Sequence, residues 1–362
     1  MNRTAKDKGG ETVKRIFALI LSLTMIFTLS CDAFAAVSAD SGLKALRAQF
    51  SRDRGPSKNG YAIDYSYFSP EPEESGDTKY PLVIIMAGAR EGEYEGKELL
   101  ANDYAMWSSK EYQKRFLNCG GGYILIARAP EENLLYWDSQ TLVASLKAAI
   151  DDFILKHESV DSNRIVLIGW CLGAKGVVNQ VCAYPGYYSA AVLMVPPFAV
   201  SEAQAEKMKD IPVWLHGCKK DSYADYDRYI KPGWSRLVSS ASDKSKRLFT
   251  CYDEAVNTTF FFNHNVWLQG SYDMHYTGKG YSGMQTVDGN GNTVSNDLSM
   301  ISWLSMWNMP MPKPVFTASE SCSCPCHSDS LFKRLIWRVW ISVFQILNFK
   351  TKSVCECGEK HW

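Results

Sequence analysis

Cys171 stands between two glycines where an apolar strand pattern gives way to a helical one. Residues 169–173 have the sequence Gly-Trp-Cys-Leu-Gly, with a predicted strand, Ile165–Gly169, before them and a predicted helix, Ala174–Ala183, after. A nucleophile at such a turn is held in a strained backbone conformation, and larger side chains at the glycine positions would collide with the neighbouring strand and helix. Because the cysteine thiolate is a strong nucleophile, the motif predicts covalent catalysis by Cys171.

The residues around this motif resemble the α/β-hydrolase superfamily, and within it the secreted polyhydroxybutyrate depolymerase and feruloyl esterase-like group. The similarity covers Asp161–Gly176, which follows that group's D-x-N-R-I-x-L-x-G-x-S-x-G-G run. Cys171 stands in place of the serine, and Ala174 in place of the last glycine. Dienelactone hydrolase-like enzymes of the same fold also use cysteine. The resemblance implies an α/β-hydrolase fold in which Cys171 attacks an ester.

A second segment of this resemblance implies an oxyanion hole. Residues 80–91 are similar to the group's P-L-V-x-x-x-H-G segment, which ends the strand that supplies one oxyanion amide, although Ala87 stands where the group has histidine. By this similarity, the backbone N–H of Ala89 or Arg90 and that of Leu172 would bind the oxyanion. Because these donors are backbone groups, the change at position 87 weakens the assignment only slightly.

The acid of a triad is expected downstream of Cys171, because this fold carries its residues in the order nucleophile, acid, histidine. Residues 211–221 resemble the group's I-P-x-W-x-x-H-G-x-x-D segment, which implies that Asp221 is the acid. Asp225 is a nearby alternative, and either carboxylate could instead be a solvated loop residue. His216, at the end of the same predicted strand, is expected to be structural.

Two histidines compete for the role of base. His264 and Trp267 have the group's H-x-x-W spacing, which favours His264, although Asn263 stands where a glycine is usual. His275 lies among turn residues and is the alternative base. The segment 278–297 looks inserted before a final predicted helix over Met300–Trp307, so the register of this region stays open.

Alternating strand and helix patterns must position these residues. Mostly unbroken apolar segments predict buried parallel strands at Tyr61–Phe68, Leu82–Met86, Tyr123–Ala127, Ile165–Gly169, Ala190–Val195 and Val213–His216. Helical patterns fall between them at Glu111–Phe116, Gln140–Lys156, Ala174–Ala183 and Glu202–Lys209. This alternation predicts an α/β fold, a three-layer α/β/α sandwich with a mostly parallel central sheet.

Residues 1–35 have the pattern of a signal peptide. Basic residues precede the uncharged apolar run Ile16–Leu29, and Ala33-Phe34-Ala35 supplies the small-x-small triplet before a cleavage site. The run is shorter than the roughly 20 residues that cross a bilayer, which argues against an uncleaved anchor. The sequence therefore predicts a secreted or cell-surface protein with its hydrolase domain at 36–309. Lipid attachment at Cys31 is a weaker alternative.

A separate small module is predicted at 322–362. The stretch 310–321, rich in proline, serine and threonine, is typical of a linker. The cysteines and histidines that follow suit a structural zinc site, although disulfides are a comparable alternative in an exported chain. The candidate ligands are Cys322, Cys324, Cys326, His327, Cys355, Cys357 and His361. The amphipathic helix predicted between them could contact a membrane or cell surface, or form the core of the module.

The composition favours a neutral or small substrate. The 362 residues carry a formal net charge of zero, and no basic run dominates the central region, which excludes the long-range field of a nucleic-acid binder. We expect an exported carboxylic ester hydrolase with a Cys-His-Asp triad and a thioester intermediate, acting without a cofactor on a small-molecule or polysaccharide-linked ester. A decayed hydrolase fold that serves as a surface-binding module, and a peptidase of the same fold, are the alternatives.

Overall fold

The computed structural model describes residues 44–71, 77–88, 104–129, 137, 139–255, 262–271, 273, 283–295 and 298–308. The predicted signal peptide, linker and Cys/His-rich module lie outside the described residues. Within the described part, the strands are β1 (Ser51–Arg54), β2 (Asp64–Phe68), β3 (Tyr80–Met86), β4 (Tyr123–Arg128), β5 (Val160–Trp170), β6 (Ala190–Met194), β7 (Val213–Cys218), β8 (Arg247–Tyr252) and β9 (Met284–Asp288).

These strands form one sheet in the order β1-β2-β4-β3-β5-β6-β7-β8-β9. The central strands, from β4 through β3, β5, β6 and β7 to β8, pair in parallel. At the two ends of the sheet the pairing is antiparallel, between β1 and β2, between β2 and β4, and between β8 and β9. The carboxyl ends of β3, β5, β6 and β7 therefore lie along one edge of the sheet.

The central strands are buried because they consist almost entirely of branched apolar residues. Every residue of β3 and of β6 is buried, as are the last six residues of β5, Ile165–Trp170. A parallel strand with both faces covered has no polar face to present to water, which explains the unbroken apolar runs. The first half of β5 is only partly buried and contains the polar residues 161–164.

Helices cover both faces of the sheet. Besides a short helical segment at 44–47, the α-helices of the described part are α1 (Lys110–Gln113), α2 (Thr141–Lys156), α3 (Leu172–Ala183), α4 (Glu202–Lys207), α5 (Lys231–Ser240), α6 (Val266–Ser271) and α7 (Met300–Ser305). Connections between parallel strands are right-handed. The connection from β3 to β4 crosses the sheet in one direction, and the connections from β4 to β5 and onward to β8 cross it in the opposite direction. Helix α1 therefore lies on one face, and α2, α3, α4 and α5 lie on the other.

Helix α7 packs beside α1. The hydroxyl of Ser305 accepts a hydrogen bond from the N–H of Leu117 at 2.9 Å, and the hydroxyl of Ser302 donates to the carbonyl of Arg115 at 2.8 Å. The indole ring of Trp303, in α7, packs edge-on against that of Trp214, in β7, with ring centroids 5.3 Å apart. Helix α7 thus covers the sheet on the α1 face.

The predicted strands overlap β2 to β7, whereas β1, β8 and β9 were not predicted. Strand β9 falls inside the segment 278–297, which therefore contributes an edge strand rather than only an insertion. Helices α5 and α6 were also missed. No helix among the described residues combines the length and apolar character needed to span a membrane.

Candidate active site

Cys171 occupies the turn between β5 and α3 in a strained backbone conformation. Its φ is 53° and its ψ is −123°, a region that residues with a side chain rarely adopt. The backbone N–H of Cys171 donates to the carbonyl of Met194, at the end of β6, at 3.0 Å. The side chain is partly exposed. The turn therefore presents the thiol at the carboxyl edge of the sheet.

Both glycines of the motif are required by close backbone packing. A Cβ on Gly173 would overlap the carbonyl oxygen of Met86, at the end of β3, and a Cβ on Gly169 would overlap the carbonyl of Gly173. These neighbours are backbone atoms, which cannot move aside as a flexible side chain can. The contact of α3 with the end of β3 thus depends on glycine at both positions.

Asp221 lies on the loop after β7 with its side chain fully buried. One carboxylate oxygen, Oδ1, accepts hydrogen bonds from the backbone N–H groups of Tyr223 at 2.8 Å and Ala224 at 3.0 Å. The other, Oδ2, lies 2.7 Å from Nδ1 of His264. A buried carboxylate is costly unless it is paired and hydrogen-bonded, and these partners meet that requirement.

His264 stands beside both Asp221 and Cys171. It belongs to the 3₁₀ turn Phe262–Asn265, which leads directly into α6. Burial lowers the pKa of His264, but interactions with the Asp221 carboxylate and the Cys171 sulfur outweigh burial and raise it to about 9. Its second ring nitrogen, Nε2, is buried and makes no hydrogen bond to the described residues. The imidazole is thus held at one nitrogen and available at the other.

Two other residues considered from the sequence, the alternative acid Asp225 and His216, have different surroundings. Asp225 is exposed, and its carboxylate accepts a hydrogen bond from the N–H of Arg228 at 2.7 Å, which caps the π-helical turn Tyr226–Ile230. His216 is buried within β7, with Nδ1 3.2 Å from the hydroxyl of Tyr252. Asp225 therefore has a capping role, and His216 packs within the sheet.

Comparison with known proteins identifies the fold. No family model and no curated protein matches the sequence. Among solved structures, the chain is similar to the crystal structure of a thermostable esterase, with 20% sequence identity and a TM-score of 0.52. The chain has the α/β-hydrolase fold. The match covers 65% of this chain and 63% of the esterase chain.

A second similar structure is that of the Pyrococcus horikoshii acylaminoacyl peptidase, in an orthorhombic crystal form. It has 13% sequence identity and a TM-score of 0.45, and the match covers 62% of this chain and 38% of the peptidase. The chain therefore spans less than two thirds of the length of either relative.

Within this α/β-hydrolase fold, the predicted oxyanion donors are only partly described. Leu172 is the first residue of α3, in the turn where helix N–H groups have no acceptor within the helix. Ala89, Arg90 and the alternative base His275 lie outside the described residues. The end of the β3 segment nevertheless approaches Cys171, because a Cβ built on Gly88 would lie 3.1 Å from the Cβ of Cys171.

Two aromatic contacts of the candidate site were not predicted from the sequence. Trp170 stacks on Trp267 with ring centroids 4.9 Å apart and an interplanar angle of 14°. Tyr223 lies beside His264, with centroids 5.5 Å apart, and 57% of it is exposed. The H-x-x-W spacing drew attention to Trp267 but gave no sign of its partner.

The cysteines of the described part are free thiols. They are Cys119, Cys171, Cys182, Cys218 and Cys251. Burial raises the pKa of the Cys218 thiol to about 11 and also raises that of Cys182. Among the described residues no group of three or more His, Cys, Asp or Glu side chains could hold a metal ion. The predicted zinc ligands at 322–361 lie outside these residues.

Proposed function

We propose that the protein is a carboxylic ester hydrolase with Cys171 as nucleophile, His264 as general base and acid, and Asp221 as the carboxylate that orients the histidine. The observation that carries the proposal is the position of His264, 2.7 Å from a fully buried Asp221 and next to the strained Cys171. A nucleophile, a base and a third group that orients the base are the parts that acyl transfer needs.

Asp221 supports this chemistry by fixing the tautomer of the histidine. Because the carboxylate accepts a hydrogen bond from Nδ1–H of His264, the lone pair of the neutral ring lies on Nε2. The backbone N–H groups of Tyr223 and Ala224 hold the other carboxylate oxygen, so Asp221 cannot turn away from the ring without losing them. The ring is thereby oriented with Nε2 available for proton transfer.

In acylation, the sulfur of Cys171 attacks the ester carbonyl carbon after its proton has passed to Nε2 of His264. The tetrahedral intermediate collapses, the carbon–oxygen bond to the alcohol breaks, and the protonated imidazole gives its proton to the departing alkoxide. The products of this step are the alcohol and a thioester on Cys171. The N–H of Leu172, at the start of α3, would donate to the oxyanion that forms on the way.

In deacylation, water replaces the alcohol. His264 takes a proton from the water as its oxygen attacks the thioester carbonyl, the carbon–sulfur bond breaks, and the proton passes to the sulfur of Cys171. The carboxylic acid leaves and the free thiol is restored. The sum of both steps is ester plus water giving acid plus alcohol, which requires no cofactor.

Cys171→Ala is expected to remove this activity. Without the sulfur no acyl-enzyme can form, so we expect kcat on short-chain aryl esters to fall by at least roughly 10³-fold. Mass spectrometry of the wild type after rapid quenching should show an acyl group on Cys171. Cys171→Ser, which keeps a weaker nucleophile, should retain more activity than the alanine variant.

Cys182→Ala is the matched control, because Cys182 is a partly buried free thiol on the same helix α3. This variant should keep wild-type kcat. Equal and slow hydrolysis by the wild type and Cys171→Ala would reject the catalytic proposal and favour the surface-binding alternative. Faster Cys171-dependent cleavage of acyl amides than of the matching esters would instead identify a peptidase.

Export and the C-terminal module complete the proposal. We propose that residues 1–35 direct secretion and are removed, which the N-terminus of the mature protein would test. We propose also that the cysteines and histidines of 322–362 bind a structural zinc ion. Elemental analysis together with a count of free thiols separates zinc from disulfides, since metal-free protein without free thiols in this module would reject zinc.

A further inference from the structure

The indole ring of Trp170 contacts several of the segments that form the site. It stacks on Trp267 of α6, and it also stacks on Tyr104, with centroids 5.5 Å apart and an interplanar angle of 15°. A Cβ built on Gly88 would lie 3.2 Å from its Nε1 atom. Trp170 is 1% exposed and is bonded directly to Cys171. The ring therefore lies between the nucleophile turn, the end of the β3 segment and helix α6.

Helix α6 carries the histidine segment. Trp267 follows His264 by one turn of backbone, and Val266 between them is fully buried. At the next turn, Gly270 packs so closely on Met194 that a Cβ there would lie 2.7 Å from the Met194 methyl carbon. The carbonyl of Met194 is the acceptor for the N–H of Cys171. Helix α6 thus packs against Trp170, which precedes Cys171 in the chain, and against Met194, which accepts the hydrogen bond from the backbone N–H of Cys171.

We propose that the stack of Trp170 on Trp267 is a positioning contact that sets the separation between the Cys171 thiol and the His264 imidazole. This inference rests on the proposed function of Cys171 and His264. The hydrogen bond to Asp221 fixes one nitrogen of the ring relative to the Asp221 loop, but it does not by itself set the distance from the ring to Cys171. The two indoles connect the histidine segment to the nucleophile turn without passing through Asp221.

The consequence of losing this contact follows from the geometry of proton transfer. A base acts on a proton within hydrogen-bonding reach, and a displacement of about 1 Å by a change away from the reacting atoms can cost 10²-fold in rate. Because Trp170 and Trp267 pack behind the reacting atoms, their loss should reduce kcat more than it changes KM. They are positioning residues and not catalytic ones.

The first test compares variants of Trp267 on short-chain aryl esters. Trp267→Leu removes the stacked ring, and we expect kcat to fall roughly 10- to 100-fold with KM changed much less. Trp267→Phe keeps a ring that can stack on Trp170 and should recover most of the loss. The control is Trp234→Leu, because Trp234 is also a partly buried, stacked tryptophan, whose ring stacks on Phe249 of β8 with centroids 5.4 Å apart.

The second test does not depend on turnover. Iodoacetamide alkylation of Cys171 is followed against pH by peptide mass spectrometry, since the imidazole of His264 can take the thiol proton only when it lies within hydrogen-bonding reach. The groups that face His264 are the Asp221 carboxylate, the Cys171 sulfur and the Tyr223 ring. In Trp267→Leu the profile should move toward that of His264→Ala, whereas Trp234→Leu should keep the wild-type profile.

The outcomes separate this inference from the proposed function. Wild-type kcat and a wild-type alkylation profile in folded Trp267→Leu would overturn the positioning role. A changed profile in a protein that hydrolyses no ester would retain the positioning role and reject the hydrolase. If Trp267→Leu does not fold, Trp267→Met, which fills the space without a ring, takes its place, and the same two results decide.

Discussion

The Asp221–His264 pair gives the stability of the protein a pH dependence of defined sign. The pKa of His264 is raised to about 9 in the folded state, against an ordinary value of 6.5. The folded protein therefore binds the imidazole proton more tightly than the unfolded chain does. The resulting stabilisation is fully present below about pH 6.5 and is lost as the pH rises through 9.

His264→Gln should remove this dependence. We expect the free energy of unfolding of the wild type, relative to the variant, to decline by up to roughly 3 kcal/mol between pH 6.5 and 9. Urea unfolding across that range measures it. His157→Gln is the control, because burial lowers the pKa of His157 and its contribution changes only at lower pH. A constant difference between the wild type and His264→Gln over the whole range would contradict the charged pair.

The residues of the site differed in how far sequence could locate them. Cys171 could be proposed because strand, glycines and helix lie within one short segment, and Asp221 because residues 211–221 resemble a segment of the hydrolase group. The choice between Asp221 and Asp225 needed burial, which distinguishes the paired carboxylate from the exposed cap. The stack of Trp170 on Trp267 joins distant parts of the chain, and no local pattern encodes such a pairing.

Strand β8 shows why some elements escaped prediction. It begins with Arg247, and a charged first residue after a polar segment is typical of a loop. Yet Arg247 is fully buried and donates to the carbonyls of Met208 and Lys209 at the end of α4, of Leu237 in α5, and of Ile211 before β7. Carbonyls at a helix end lack partners within the helix, so the guanidinium supplies the missing donors.

Arg247→Met should therefore destabilise the protein. The apolar chain fills the space but leaves several buried carbonyls without a donor, and we expect a loss of roughly 2–4 kcal/mol in the free energy of urea unfolding. Arg236→Met is the matched control, because Arg236 is half-buried and donates to one carbonyl, that of Val200, at 3.0 Å. Equal losses in the two variants would show that the carbonyl cluster around Arg247 adds nothing.

At the scale of the whole molecule, the parallel sheet assembles the site. Cys171 follows β5, Gly88 lies after β3, Asp221 lies after β7, and the carboxyl ends of these parallel strands share one edge. Residues placed after successive strands therefore meet although they are far apart in the chain. This arrangement was predictable from the strand–helix alternation. The edge strand β9 was not, because its five residues show only a short alternation of buried and exposed positions.

A buried ion pair joins the α1 region to Asp273, which in turn contacts the start of α7. Asp273 accepts a hydrogen bond from Nη1 of Arg115 at 2.9 Å, from the N–H of Met300 at 2.6 Å, and from the hydroxyl of Ser299, which caps α7. The Asp273 side chain is fully buried and that of Arg115 nearly so. The pair connects the α1 region to the helix that closes the α1 face of the sheet.

Asp273→Asn should consequently weaken the packing of α7 on the α1 face of the sheet. The substitution keeps the shape of the side chain but replaces the buried negative charge beside the guanidinium of Arg115 with a neutral amide, and removing one charge of a buried ion pair typically costs about 3–5 kcal/mol. Glu111→Gln is the matched control. Glu111 contacts the same guanidinium at 2.9 Å, but 77% of its side chain is exposed. Such an exposed ion pair contributes at most about 1 kcal/mol. Urea unfolding gives the two losses, and amide hydrogen exchange in α7 shows where protection falls. Comparable losses in the two variants would mean that burial of the Asp273 pair does not stabilise the attachment of α7.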